Sequence, residues 1–135
     1  VDSADSWQLS NPPIFAMAPV LASLEMFDAV GMAALRAKSR RLTAYLESAL
    51  DAANIDSARI ITPRDPERRG AQLSVRLSRI VAGTVSERLR HEHGVFADAR
   101  QPDVVRLAPA PMYNTFHDCW RAATALAAVM AGHDG

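Results

Sequence analysis

Cysteine is almost missing from this chain. The one thiol, Cys119, has no second cysteine to pair with and no Cys or His partners at metal-ligand spacing, which excludes an internal disulfide and leaves no metal site around it. Such usage fits a reducing compartment, and a cytoplasmic location is expected. Lysine is as scarce: Lys38 stands alone against fourteen arginines. The ratio is attributed to genomic base composition before function, and its use is that it makes Lys38 conspicuous. An excess of charge is also lacking, since 15 basic residues balance 15 acidic ones and the arginines are spread along the chain. No electrostatic footprint for nucleic acid or an anionic membrane surface results. Long apolar runs are absent too. Glu25 and Asp28 interrupt the first apolar stretch, well short of the ~18 to 20 residues that span a bilayer. The opening Val1-Asp2-Ser3-Ala4-Asp5-Ser6 is polar and acidic where a secretion signal would be basic and then apolar, and without an initiating methionine it is consistent with a chain cut from something longer. Glycine-rich phosphate loops and Gly-x-Ser-x-Gly do not occur.

What is present is about half apolar, enough in 135 residues for one compact domain with a core. Ser10 or Asn11 can cap a helix whose first positions are Pro12 and Pro13, because proline lacks an N–H that the first turn leaves unpaired anyway. Ile14, Met17, Leu21, Leu24 and Phe27 continue it as a stripe expected to be largely buried, with a kink at Pro19. After a break at Gly31, a second helix runs through Leu35, Leu42, Leu46 and Leu50, with Arg36, Lys38, Arg40 and Arg41 on its wet side. Arg59 to Thr62 is a short β-branched strand, and Pro63 to Gly70 a polar loop. Leu73, Val75 and Leu77 alternate with Ser74, Arg76 and Ser78 as a half-buried strand does. Thr84 and Glu87 suggest a capping box for a helix ended by Gly94, with a strand Val95-Phe96-Ala97 directly after it. Asp103 to Leu107 is the last strand, stopped by Pro109 and Pro111. Thr115 and Asp118 start a closing helix that ends by Gly132. The order predicts an α+β fold, a small, mainly antiparallel sheet with its helices packed on one face.

Arg106 is the foremost candidate for chemistry. It faces opposite to Val105 and Leu107 at a strand end, immediately before a chain reversal. A guanidinium fixed there can grip a carboxylate through two parallel hydrogen bonds, and it can equally form a structural ion pair with Asp98 or Asp103, the commoner use of such a residue. The Ser10-Asn11-Pro12-Pro13 helix start offers an amide and free N–H groups to an anion, although an ordinary N-cap is the usual role of such a segment. The histidines form no metal set: His91 and His93 lie on different faces of a helix end, His117 falls in a first helical turn, and His133 lies in a tail. Cys119 beside Trp120 suits a buried inert thiol, and Tyr45 and Tyr113 suit packing with satisfied hydroxyls.

Three separated blocks carry a family resemblance: Trp7-Gln8-Leu9-Ser10-Asn11-Pro12-Pro13; Ile60-Ile61-Thr62-Pro63 with Arg68-Arg69-Gly70-Ala71-Gln72-Leu73; and Val105-Arg106-Leu107-Ala108-Pro109-Ala110-Pro111-Met112-Tyr113-Asn114, leading into Thr115-Phe116-His117-Asp118. Leu42-Thr43-Ala44-Tyr45-Leu46-Glu47 fits between them. The chain resembles the C-terminal part of kynureninase. That resemblance implies a fold-type I pyridoxal phosphate enzyme, a homodimer that hydrolyses kynurenine or 3-hydroxykynurenine to the anthranilate and alanine in tryptophan catabolism. Residues 1–12 would then be the connecting segment from a missing large domain, and residues 13–135 the small domain. The resemblance assigns Arg106 to the substrate's α-carboxylate and Asn11 to the substrate and cofactor site. It leaves no catalytic residue in this chain, because the cofactor lysine belongs upstream and Lys38 lies in an amphipathic helix; the chain alone is expected to be inactive. The alternatives are the small domain of another enzyme of that fold, such as an aminotransferase or a cysteine desulfurase, and a free-standing ligand-binding or interaction domain.

Overall fold

The computed structural model describes residues 2–7, 10–11 and 13–132. Two compact units divide the chain, Val1–Ala34 and Leu35–Gly135. The first holds a 3-10 turn, Ala4–Trp7, and helix α1, Ile14–Val30. The helix begins later than the sequence suggests. Its cap is Pro13, whose carbonyl accepts from the N–H groups of Ala16 (2.9 Å) and Met17 (3.1 Å), and no side chain caps it. Ser10 and Asn11 therefore lie ahead of the cap and do not serve it. Pro12 lies outside the described residues. Pro19 sits inside α1 without ending it.

The expected burial of the α1 stripe is also overturned. No residue of this helix is buried, and Ile14, Met17, Leu21 and Leu24 are each more than half exposed. Phe15, Val20, Met26 and Val30 make the helix apolar on every side, a kind of helix that buries only when apolar surface surrounds it, and among the described residues its own unit offers little beyond a 3-10 turn. Gly31, with φ +82°, makes the break, in a backbone region that only glycine enters cheaply; its N–H still closes on the Phe27 carbonyl at 2.8 Å.

Helix α2, Met32–Ala53, buries Leu35, Ser39, Leu42, Thr43, Leu46 and Leu50, the three-four spacing of one helical face. Arg40 and Arg41 are exposed, and Arg36 and Lys38 half-buried. Strands β1 (Ala58–Ile60), β2 (Leu73–Leu77), β3 (Asp98–Arg100) and β4 (Val104–Leu107) form one antiparallel sheet in the order β1-β2-β4-β3. Along β2 and β4 every second residue is buried: Leu73, Val75 and Leu77, then Val105 and Leu107. They share one core with α2, with α3 (Ala82–His93) through Val85 and Leu89, and with α4 (Phe116–Ala131) through Cys119, Leu126, Val129 and Met130. Burying each of these leucines fully stabilises the fold by about 2 kcal/mol before entropy is counted. Three helices thus cover one face of the sheet, as expected, and leave the other open.

Two local expectations fail for traceable reasons. Helix α3 starts at Ala82 with Val81 as an unaided cap, so Thr84 is already helical and no capping box forms with Glu87. The Ala82 N–H instead donates to the Pro102 carbonyl at 3.0 Å, a tertiary bond doing what a cap side chain would have done. The strand expected at Val95-Phe96-Ala97 lies three residues later. Gly94 adopts φ +65° to close α3, and the N–H of Val95 is spent on the Leu89 carbonyl at 2.9 Å, which delays ladder pairing until Asp98. Strand β1 also ends at Ile60. Beyond it the Thr62 hydroxyl, not a ladder carbonyl, receives the Ser74 N–H at 2.8 Å. At α4 the expected capping box is complete: the N–H of Asp118 donates to the Thr115 hydroxyl, and the N–H of Thr115 to the Asp118 carboxylate.

Candidate functional site

Arg106 reaches the open face of the sheet because strand pleating leaves it no other choice. Val105 and Leu107 on either side point into the core, so Arg106 points away from it. Across the sheet it stands opposite Ser74 of β2 and Asp98 of β3, and Cα partners in antiparallel strands share a face. The neighbouring row of the same face is Arg59, Arg76, Val104 and Arg100.

The electrostatics of this face centre on one carboxylate. Asp98 accepts at a single oxygen, Oδ2, from Arg106 Nε at 2.6 Å and from Arg106 Nη2, and the same oxygen lies 3.1 Å from Arg100 Nε. The hydrogen bond from Arg106, opposed by burial and assisted by the charges of Arg100 and Arg106, holds the Asp98 carboxyl below the usual carboxylate range. Of the two ion pairs anticipated for Arg106, the one with Asp98 is formed, while Asp103 pairs with Arg76 at 3.4 Å. One acid shared by two guanidiniums leaves the Arg100-Asp98-Arg106 triad with a net charge of +1. Both bonds to Asp98 use the Nε edge of Arg106, and Nη1 shows no partner among the described residues. Arg100 was not singled out from the sequence; its signal was the alternation Asp98-Ala99-Arg100 just ahead of the last strand.

Asn11 lies in the first unit and is exposed, whereas Arg106 lies in the second. Past Arg106 the chain reverses at Pro109 through a turn built on Asn114. Its Oδ1 accepts the Ala110 N–H at 2.8 Å, and its own N–H returns to the Ala110 carbonyl at 2.9 Å. A cavity of about 400 Å³ opens on the helix-covered side, lined among others by Leu46, Phe96, Leu107, Pro109, Tyr113 and Arg121. Arg106 is not among its lining residues, in keeping with its place on the opposite face.

The remaining candidates keep structural roles. Cys119 is buried with its thiol 3.7 Å from the Leu42 carbonyl, and burial pushes its pKa up to about 11, the opposite of an activated nucleophile. His117 stacks on Trp120 at 5.4 Å between ring centres, His91 and His93 end α3, and His133 lies outside the described residues. Tyr45 meets Phe116 edge-on, but Tyr113 is 76 % exposed and does not pack as expected, because the turn at Asn114 carries it outward. Lys38 sits half-buried on α2, on the same helix as Arg36, Arg40 and Arg41. Among the described residues no single helix is long and apolar enough to cross a membrane.

Known proteins resemble this chain closely over a limited length. The family model described as Kynureninase C-terminal domain matches residues 35–126. Kynureninase of Salinispora tropica is 60 % identical over 134 residues, covering 97 % of this chain and 31 % of the relative. Kynureninase of Myxococcus xanthus is 55 % identical over 118 residues, 87 % of this chain and 27 % of the relative. The chain therefore spans less than a third of the length of these curated relatives. Among solved structures, a NifS-like protein superposes with a TM-score of 0.57 at 19 % identity over 71 % of this chain and 29 % of its own, a likeness of fold.

Proposed function

Because the chain belongs to the kynureninase C-terminal domain family, we propose that it is the small-domain part of a kynureninase and that Arg106 binds the α-carboxylate of the substrate. The observation that carries this reading is the placement of Arg106: fixed at a strand end on the uncovered sheet face, immediately before a chain reversal, in a cluster with an uncompensated positive charge. A planar guanidinium of this kind recognises a carboxylate through paired hydrogen bonds and so fixes the orientation of an amino acid.

The substrate in this reading is kynurenine or its 3-hydroxy form, cleaved to the anthranilate and alanine, a step of tryptophan breakdown that feeds NAD formation. Asn11 contributes to substrate and cofactor binding. Residues 1–12 act as the connection to a larger domain and residues 13–135 as the small domain. The enzyme is a cytoplasmic homodimer.

Pyridoxal phosphate, the cofactor this family implies, would be held mainly by residues beyond this chain, with Asn11 the one contributor here. Within this chain its amine anchor would have to be Lys38, the one lysine, which lies on α2 among arginines, in a sequence without a glycine-rich phosphate loop. The electron sink it provides is therefore held by residues beyond this chain, and this chain's share is orientation. The test is fluorescent anthranilate release from kynurenine by the full-length protein with pyridoxal phosphate, against the 135-residue chain. Activity is expected in the long form alone, and Arg106→Ala should lower kcat/KM by about 100-fold or more, the loss of a charge-assisted paired contact. Wild-type efficiency in that variant, or a reducible cofactor adduct on Lys38 of the short chain, would overturn the reading.

A further inference from the structure

A guanidinium on an open sheet face has long, soft rotamers, and a clamp that wanders binds poorly because the substrate must order it first. Arg106 does not wander. Its Nε edge is held by the carboxylate of Asp98, which sits directly across the β3-β4 ladder. Side-on pairing spends Nε and one N–H of Nη2 on Asp98 and leaves Nη1 with the second N–H of Nη2 for a second anion. A carboxylate that fully neutralised Arg106 would weaken its pull on a substrate anion. Here Arg100 shares the same Asp98 oxygen at 3.1 Å, so the triad keeps one positive charge.

We propose that Asp98 is a positioning residue for the substrate carboxylate: it orients Arg106 through the Nε edge, while Arg100 offsets its negative charge so that the cluster still attracts a carboxylate. The proposal rests on the reading that Arg106 is the carboxylate clamp. It extends the site from one residue on β4 to a three-residue cluster spanning β3 and β4.

The test uses the full-length enzyme with pyridoxal phosphate and four variants, Arg106→Ala, Asp98→Ala, Asp98→Asn and Asp98→Glu. Two ligands are compared, kynurenine and its carboxamide, which lacks the anionic group. Asp98→Ala should raise KM for kynurenine by roughly ten-fold with a smaller change in kcat, since a loosened clamp loses ground-state binding. Asp98→Glu should recover part of that loss. The inhibition constant of the carboxamide should stay within about two-fold of wild type, a selectivity that a general loss of structure would not produce. Should Asp98→Ala fold poorly, the near-isosteric Asp98→Asn gives the same comparison. Unchanged KM in Asp98→Asn and Asp98→Ala, beside an impaired Arg106→Ala, would overturn the positioning role and leave the clamp standing. Equal losses for both ligands would also overturn it. Wild-type behaviour of Arg106→Ala would instead remove the reading on which it rests.

Discussion

Arg69 and Glu47 form an ion pair of 2.5 Å with both side chains nearly out of solvent, 5 % and 13 % exposed. One belongs to the polar loop before β2 and the other to α2. Arg64 extends the pair, 2.9 Å from Glu47 and 2.5 Å from Asp51, and Arg69 also donates to the Pro63 carbonyl at 3.2 Å. Arg36 donates to the Pro66 carbonyl from the same helix. The loop of residues 63–70 is thereby tied to α2 by charge where it has no apolar side chain to bury, and β2 leaves it in a fixed register.

Removing Arg69 takes from the poorly hydrated Glu47 its buried partner and leaves it only the half-exposed Arg64. Arg69→Ala is expected to destabilise the chain by about 3 kcal/mol, read from urea midpoints followed by far-UV circular dichroism. Arg64→Ala, which removes a half-exposed arginine, should cost under about 1 kcal/mol. Equal effects of the two substitutions would contradict the buried character of the Arg69 bond.

Acid should act on the same bond. The hydrogen bond from Arg69, opposed by burial and assisted by the charges of Arg69 and Arg64, holds the Glu47 carboxyl below its ordinary 4.5. A carboxyl depressed in the folded state contributes stability that is fully present above the unfolded pKa and is lost as pH falls through the folded one. Stability from Glu47 is therefore expected to be flat from neutral pH to about 5 and to decline below about 4.5. Denaturation midpoints between pH 7 and 3 should fall less steeply in Glu47→Gln than in wild type, and parallel curves would contradict the assignment.

Thr115→Ala removes the side chain that accepts the Asp118 N–H and returns one helix-end donor to solvent. A loss of about 1 kcal/mol is expected, seen as a lower Tm in calorimetry. Thr84→Ala serves as the control: Thr84 lies inside α3 and caps nothing, so its substitution should leave the Tm within about a degree. A comparable drop in both would mean that the α4 box contributes no more than propensity.

The parts of the fold that the sequence made legible are those in which local chemistry and tertiary packing agree. Leu73-Val75-Leu77 alternates because one face is wet, and Thr115 caps through a local box with Asp118, three residues on. The misplaced boundaries are those decided at a distance. The cap of α3 went to a carbonyl at Pro102, and β3 was delayed by the closing bond of Val95 to Leu89. Helix α1 shows a further limit: its apolar residues promise burial, but spacing alone cannot say that the surface to bury them is absent from its own unit. For Arg106 the strand face and the two possible acids were readable, whereas the choice of Asp98 required the β3-β4 register, and the part played by Arg100 followed only from that choice.

Both margins of the sheet are strands of three residues, β1 and β3. Each places charge on the open face, Arg59 on one side and Asp98 with Arg100 on the other. A neighbouring chain seeking to dock its own extended backbone there finds few free ladder positions and would have to desolvate ions to use them. Charge on so short an edge strand disfavours lateral growth of the sheet there, and with it aggregation between copies at high concentration.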